Sequence, residues 1–273
     1  MQDKAVEWRS AGKSHVGLVR ALNEDAFLDR SELGIWAVAD GMGGHEAGDI
    51  ASISVVTALA MVHKAASLSD MISDSRARLR AVNDSLYAAS ERNSITAGST
   101  VVALLSQGTH AAVLWAGDSR AYLQRDGNLR QLTLDHSRVQ QLVSNGLIEP
   151  EDAEDHPEAN VITRAIGVLP EVEFDMQIIK AEPGDTFLLC SDGLYREVES
   201  EDISASLALD SCEEACDRLI DQALEGGGED NISVLVIRLS SGDAATERPP
   251  TDRGASTDAD LTVIDKTRVP HKL

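Results

Sequence analysis

The sequence predicts an α+β fold, an antiparallel sheet covered by helices, and three observations carry that reading. Strand-length apolar runs follow one another from Ser99 to Leu134 instead of alternating singly with helices. Helical spacing comes in adjacent pairs, Glu46 to Ala65 with Met71 to Arg92, and Glu201–Leu209 with Cys212–Leu224. Strands in succession, interrupted by helix pairs, disfavour βα alternation and favour segregated layers. The third observation is where the apolar runs stop. Trp36 to Asp40, Leu114 to Asp118 and Phe187 to Asp192 each run into an acid, and Glu229-Asp230-Asn231 opens the run Ile232 to Leu239.

In chain order, residues 14–19 and 26–29 read as short strands around the polar loop Arg20-Ala21-Leu22-Asn23-Glu24-Asp25. Residues 34–39 form a strand, and the glycine-rich stretch Gly41-Met42-Gly43-Gly44 leaves the backbone after Asp40 open to close approach. The first helix shows Ile50, Ile53, Val56, Leu59 and Ala60 at threes and fours; the second uses Ile72, Leu79, Val82 and Leu86. Residues 100–106, 111–116, 120–124 and 129–134 are strands, with Arg125-Asp126-Gly127-Asn128 as a hairpin signal. Residues 136–170 hold a short helix stopped at Gly146, a second start at Glu149-Pro150 and few apolar positions, so they read as a surface subdomain. Residues 173–179 and 186–191 are strands around the turn Glu182-Pro183-Gly184-Asp185. From about 241 to 273 the chain is rich in Pro, Thr, Asp, Arg and Gly and lacks aromatic residues, so it reads as a disordered tail. Thr257 and Thr262, in acidic context there, are candidate phosphorylation sites.

A chain of 273 residues can bury a full core. The net charge of −22 opposes non-specific contact with nucleic acid or anionic membrane. No run approaches the roughly 18 apolar residues of a spanning helix, and Met1–Ser10 lacks a signal-peptide core. A cytoplasmic monomer is expected. The three cysteines form no disulfide framework, and Cys212 and Cys216 have no histidine near them for zinc. Glu46 stands where a dinucleotide loop needs its third glycine, and no Gly-Lys-Ser/Thr marks a P-loop.

Acids at four strand ends suggest one carboxylate cluster. Two carboxylates about 4 Å apart repel by roughly 4 kcal/mol at an effective dielectric near 20, so a cluster needs cations or raised pKa values. Oxygen-only ligation suits Mg²⁺ or Mn²⁺. Two such ions can share a carboxylate and lower the pKa of a water between them, and the planar fork of Arg20 could hold a phosphate. Metal-assisted phosphate-ester hydrolysis follows.

The motifs Arg20 to Asp25, Val38 to Gly44, Gly98-Ser99-Thr100, Ala116 to Arg120, Leu132 to Ser137, Ser191 to Leu194 and Glu229 to Asn231 occur in this order. That series resembles the metal-dependent protein phosphatases of the type 2C family, in their bacterial form, over about residues 10–240. The resemblance implies a four-layer αββα sandwich, two packed antiparallel sheets flanked by helix pairs. It implies a catalytic domain over 1–240 and removal of phosphate from phosphoserine and phosphothreonine in proteins, opposite a serine/threonine kinase. By the same resemblance Asp40 would bridge two ions, Asp192 and Asp230 would complete the first, and Glu24 and the Gly41 carbonyl would serve the second. Asp118 with Asp192 would hold a third, weaker ion. Arg20 would bind the substrate phosphate, Asp25 and Asn231 would orient the ligands, and about 137–170 would be a mobile flap. Met42 stands where many relatives carry a histidine proposed to protonate the leaving group, and a thioether has no proton to give. His45 is the nearest alternative in sequence. His136 reads as a structural loop histidine, Asp135 and Asp155 as ordinary surface acids.

Overall fold

The computed structural model describes residues 6–43, 47–93, 97–153 and 156–242. His45, Asp155 and the segment from 243 onward, including Thr257 and Thr262, lie outside the described residues.

Two antiparallel sheets stack face to face. The first has the order β1 (Val6–His15), β11 (Ile232–Ser241), β10 (Thr186–Cys190), β7 (Arg120–Arg125), β8 (Asn128–Gln131). The second runs β2 (Asp25–Arg30), β3 (Ile35–Gly43), β5 (Val101–Gln107), β6 (His110–Ala116), β9 (Asp175–Lys180), with the short β4 (Ala97–Ser99) beside the end of β3. Alternation of side chains across each strand gives each sheet two apolar faces. Trp36, Val38, Val102, Leu104, Phe187, Leu189, Leu235 and Ile237 meet between the sheets. The opposite faces receive helices: α1 (Ala47–Ala60) and α2 (Leu68–Asn93) cover the second sheet, and α5 (Ser200–Leu207) and α6 (Cys212–Gly226) cover the first. Each fully buried Leu or Phe in these layers contributes about 1.5–3 kcal/mol. The expected four-layer αββα sandwich is the fold observed.

Three expectations need correction. The chain enters the first sheet earlier than the 14–19 strand: β1 pairs with β11 from Val6↔Ser241 to His15↔Ile232. Leu18 and Val19 are instead 66% and 69% exposed, in a loop begun by Gly17 at φ +81°. A Cβ at Gly17 would stand 2.2 Å from the Asp230 carbonyl oxygen, so loop and carboxylate region press together at that point. In α1 the buried face runs through Ala51, Ser52, Val55, Val56 and Leu59, and Ile50 points outward. The 136–170 segment is also less superficial than its composition suggests. Short α3 (Arg138–Ser144) and the 3₁₀ turn Pro150–Asp152 bury none of their residues, but His136, Ser137, Ala165 and Ile166 are buried and bridges Ser137↔Ile162 and Ser99↔Ile166 pin both ends.

Candidate active site

Strands and the turns at their ends bring the acids together; β3, expected to stop before Asp40, runs on to Gly43 beside β4. Asp40 and Asp25 are direct partners across the β2–β3 ladder. Asp118 lies in the β6–β7 connection, Asp192 begins the one-turn helix α4 (Asp192–Tyr195) two residues after the end of β10, and Asp230 stands two residues before the start of β11. Central strands of both sheets thus end at one rim, and their acids share it. The small-residue motifs hold these ends in place. The Asp40 N–H donates to Thr100 Oγ1 (3.0 Å), whose hydroxyl is 2.6 Å from Ser119 Oγ, so one threonine links the Asp40 strand to the Asp118 loop. Gly117, at φ +116°, packs where a Cβ would lie 2.6 Å from the Thr100 side chain.

Asn231 does the corresponding work on the other side. Its Oδ1 accepts from the Glu24 N–H (2.8 Å), and its Nδ2 donates to the carbonyls of Val16 and Leu22 (2.9 Å each). The loop that carries Arg20 and Glu24 is therefore stitched to the start of β11. Ser191 Oγ donates to Asp25 Oδ2 (2.7 Å) and accepts from the Ser233 N–H (2.9 Å). Arg20 Nη2 lies 2.7 Å from Asp230 Oδ2 with the arginine side chain 54% exposed. Gly41 is enclosed by backbone: its N–H donates to the Glu24 carbonyl (3.1 Å), and a Cβ there would stand 2.0 Å from the Gly48 carbonyl oxygen. The Glu24 carboxylate lies against Gly48, in the first turn of α1.

Crowded acids in a low-dielectric rim resist ionisation. Burial pushes Asp25 and Asp118 up to about 7. Burial, and then the charges of Asp25, Asp192, Asp118 and Asp230, hold Asp40 well above the carboxylate range. Asp192 is raised by burial despite the opposing charge of Arg196, and Glu24 by burial against a lowering hydrogen bond from Gly48. Asp25 Oδ1, Asp118 Oδ1 and Asp192 Oδ1 are buried with no hydrogen-bond partner, although buried polar atoms are nearly always paired. Among the described residues, no three His, Cys, Asp or Glu side chains gather closely enough to ligate one ion by themselves. Orphaned oxygens on hard, acidic donors fit divalent cations whose remaining positions are taken by carbonyls and water.

Sequence reasoning missed the roles of four residues here. Asp135, expected on the surface, is buried, and it accepts a bidentate pair from Arg120 (Nε to Oδ1 3.1 Å, Nη2 to Oδ2 2.7 Å). The Arg120 guanidinium lies 3.5 Å from the Tyr195 ring centroid, and the Tyr195 hydroxyl donates to the Asp118 carbonyl (3.1 Å). Arg196 Nη2 is 2.9 Å from Asp192 Oδ2. The (i, i+4) spacing of Asp192 and Arg196 was the available signal for that last pair. His136 is structural: Nδ1 accepts from the Gly117 N–H (3.0 Å), Nε2 lies 3.2 Å from Asp175 Oδ2, and the ring stacks on Trp115. Burial lowers its pKa, with Asp175 opposing.

Residues 11–225 match the family described as protein phosphatase 2C. The chain is 40% identical to the serine/threonine phosphatase stp of Listeria welshimeri over 81% of its own length and 92% of that protein. It is also 40% identical to the serine/threonine protein phosphatase PstP of Mycobacterium tuberculosis over 95% of its own length, and it spans about half the length of that relative (50%). The crystal structure of the catalytic domain of PstP, in complex with two manganese ions, superposes with a TM-score of 0.78 at 39% identity, covering 86% of this chain and 99% of that one.

Proposed function

The chain belongs to the protein phosphatase 2C family, and from that premise we propose that it is a metal-dependent serine/threonine protein phosphatase opposing a serine/threonine kinase. The observation that carries this reading is the rim of crowded acids with unpartnered oxygens on Asp25, Asp118 and Asp192, next to the exposed guanidinium of Arg20. The names of the relatives and the manganese ions of the PstP domain support it.

In this reading Asp40, Asp192, Asp230, Glu24 and the Gly41 carbonyl hold two Mn²⁺ or Mg²⁺ ions, while Asp25 and Asn231 orient them. Those ions would screen the acids, polarise the phosphate and lower the pKa of water at the site. The protein's own groups do the rest. Arg20 is anchored through one nitrogen to Asp230, which leaves its other N–H groups free to grip phosphate oxygens. Asp25, opposite Asp40 in the ladder and held by Ser191 Oγ, stands beside it as a further acid of the rim. Water attacks phosphorus in line, and the serine or threonine oxygen departs. Met42 cannot protonate it, so the proton comes from water or from another group at the rim, and no phosphoenzyme forms. The described residues of 137–170 would serve as the flap of this site.

The test is hydrolysis of a phosphothreonine peptide by the purified chain with Mn²⁺, with Mg²⁺, and in excess chelator. Activity only with metal, abolished by Asp40→Asn, is expected. Full activity in chelator overturns the reading, and turnover of small phosphate metabolites in preference to phosphopeptide reassigns the substrate.

A further inference from the structure

The residues on either side of Arg20 stand in solvent. Leu18, Val19, Arg20, Ala21 and Leu22 are exposed without a break, and Arg20 is the one polar side chain in that run. Leu18 and Val19 are about two-thirds exposed and Leu22 about half. Single apolar residues at a surface need no explanation. A continuous run of them around one cation, in a chain with 46 acids, marks a contact surface.

Backbone bonds keep these side chains outside. The Leu18 N–H donates to the Gly228 carbonyl (2.7 Å), and Asn231 Nδ2 holds the carbonyls of Val16 and Leu22. Gly17 presses on the Asp230 carbonyl, and Arg20 is tied to the Asp230 carboxylate. The loop is therefore pinned before and after Arg20, and it presents its apolar side chains at fixed places beside the guanidinium. A Cβ at Gly228 would stand 3.1 Å from Leu18 Cγ and 3.1 Å from Leu224 Cδ2. Partly buried Leu224 thus continues the apolar surface past Leu18.

A phosphate gripped by Arg20 brings its own peptide alongside this loop. Successive Cα atoms are about 3.8 Å apart, so the residues directly before and after the phosphoresidue lie within reach of Leu18, Val19 and Leu22. An acidic neighbour would meet the crowded carboxylates of the rim. A neutral polar neighbour would find no side-chain partner in the run except Arg20, which the phosphate engages. An apolar neighbour removes its own surface and that of the loop from water and strips no polar side chain of hydration.

We propose that Leu18, Val19 and Leu22 form an apolar shelf that selects phosphoprotein segments with a bulky aliphatic or aromatic residue directly beside the phosphorylated serine or threonine. The proposal rests on the phosphatase reading above and adds a substrate class to it.

The experiment compares two phosphothreonine peptides, identical except for leucine or serine on both sides of the phosphothreonine, and capped with lysines for solubility. The full chain hydrolyses each with Mn²⁺. On wild type, kcat/KM for the leucine peptide is expected to exceed that for the serine peptide on the order of 10-fold. The difference is expected in KM, because contacts away from phosphorus bind ground state and transition state alike. In the double variant Val19→Ser, Leu22→Ser the two peptides are expected to become equal substrates. A merely structural effect lowers both peptides together and leaves their ratio unmoved. Val19→Thr with Leu22→Asn, which keeps the side-chain shapes, serves if the serine variant fails to fold. Equal kcat/KM on wild type overturns the proposal, and so does a leucine preference that survives in a folded double variant. Hydrolysis of neither peptide by wild type overturns the proposed function itself, so the two failures are distinguishable.

Discussion

Gly41→Ala tests the packing at the centre of the site. The new Cβ would stand 2.0 Å from the Gly48 carbonyl oxygen, 2.5 Å from the Gly48 carbonyl carbon and 2.7 Å from the Glu24 carbonyl oxygen. Ordinary contact begins near 3.4 Å, so β3 and the start of α1 must separate by more than an ångström. No flexible side chain is available to yield, because every one of these atoms is backbone. Overpacking of this kind costs about 1–3 kcal/mol, and at roughly 2–4 °C per kcal/mol for a domain of this size Tm falls by about 2–12 °C. The functional loss exceeds the loss of stability. The separation displaces Glu24 and the Gly41 carbonyl together, and a misplacement of about 1 Å can cost on the order of 100-fold in rate. Gly108→Ala is the control. Its φ of +61° makes alanine strained there, but nothing lies within 4 Å of the added Cβ. It carries a comparable cost of roughly 1–2 kcal/mol and leaves Mn²⁺ dependence intact. Thermal denaturation and Mn²⁺-dependent hydrolysis of an aryl phosphate measure both effects. A Gly41→Ala protein with unchanged Tm and unchanged Mn²⁺ half-saturation would refute this account of the packing.

Asp135→Ala leaves Arg120 mostly buried without its carboxylate; about 3–5 kcal/mol is expected, a Tm fall of about 6–20 °C, and a fall within 2 °C contradicts the buried pair. Arg20→Ala removes an exposed ion pair worth about 0–1 kcal/mol, so Tm stays nearly constant while kcat/KM for a phosphopeptide drops about 10- to 100-fold from the loss of charged hydrogen bonds; equal kcat/KM removes Arg20 from phosphate binding. For metal-free protein, Asp25 and Asp118 are pushed up to about 7 in the fold, above their unfolded values near 3.9. Folding therefore favours their protonated forms: the stabilisation is complete below the unfolded value and is lost as pH climbs to about 7. Urea unfolding in chelator is expected to give higher stability at pH 5.5 than at pH 7.5, and Mn²⁺ is expected to reduce this difference; the opposite slope without metal contradicts the crowded rim.

The sequence made the acids legible and left their partners hidden. Asp40, Asp118 and Asp192 announce themselves because an apolar run ends on each; in the fold Asp40 lies inside β3, three residues before its end, and Asp118 and Asp192 stand two residues past β6 and β10. The helix pairs were equally legible from their spacing. Asp135 was not, because its burial depends on Arg120, fifteen residues away, arriving with Tyr195 behind it. Strand β1 escaped notice for a related reason. It is an edge strand, bonded only to β11, and its half-exposed positions show neither a clean alternation nor an apolar run. The apolar residues just after it, Val16, Leu18 and Val19, drew the expected strand too far along the chain.

The β1–β11 ladder also bears on how the molecule comes into being. Ten residues near the start of the chain pair with ten that follow some two hundred residues later, and pairing over such separation forms slowly. Asp230 and Asn231 sit at the mouth of that last strand, and Asn231 is what secures the loop carrying Arg20 and Glu24. Among the described residues, every helix and every other strand precedes β11 in the chain. The proposed site is therefore incomplete until β11 docks against β1 and β10.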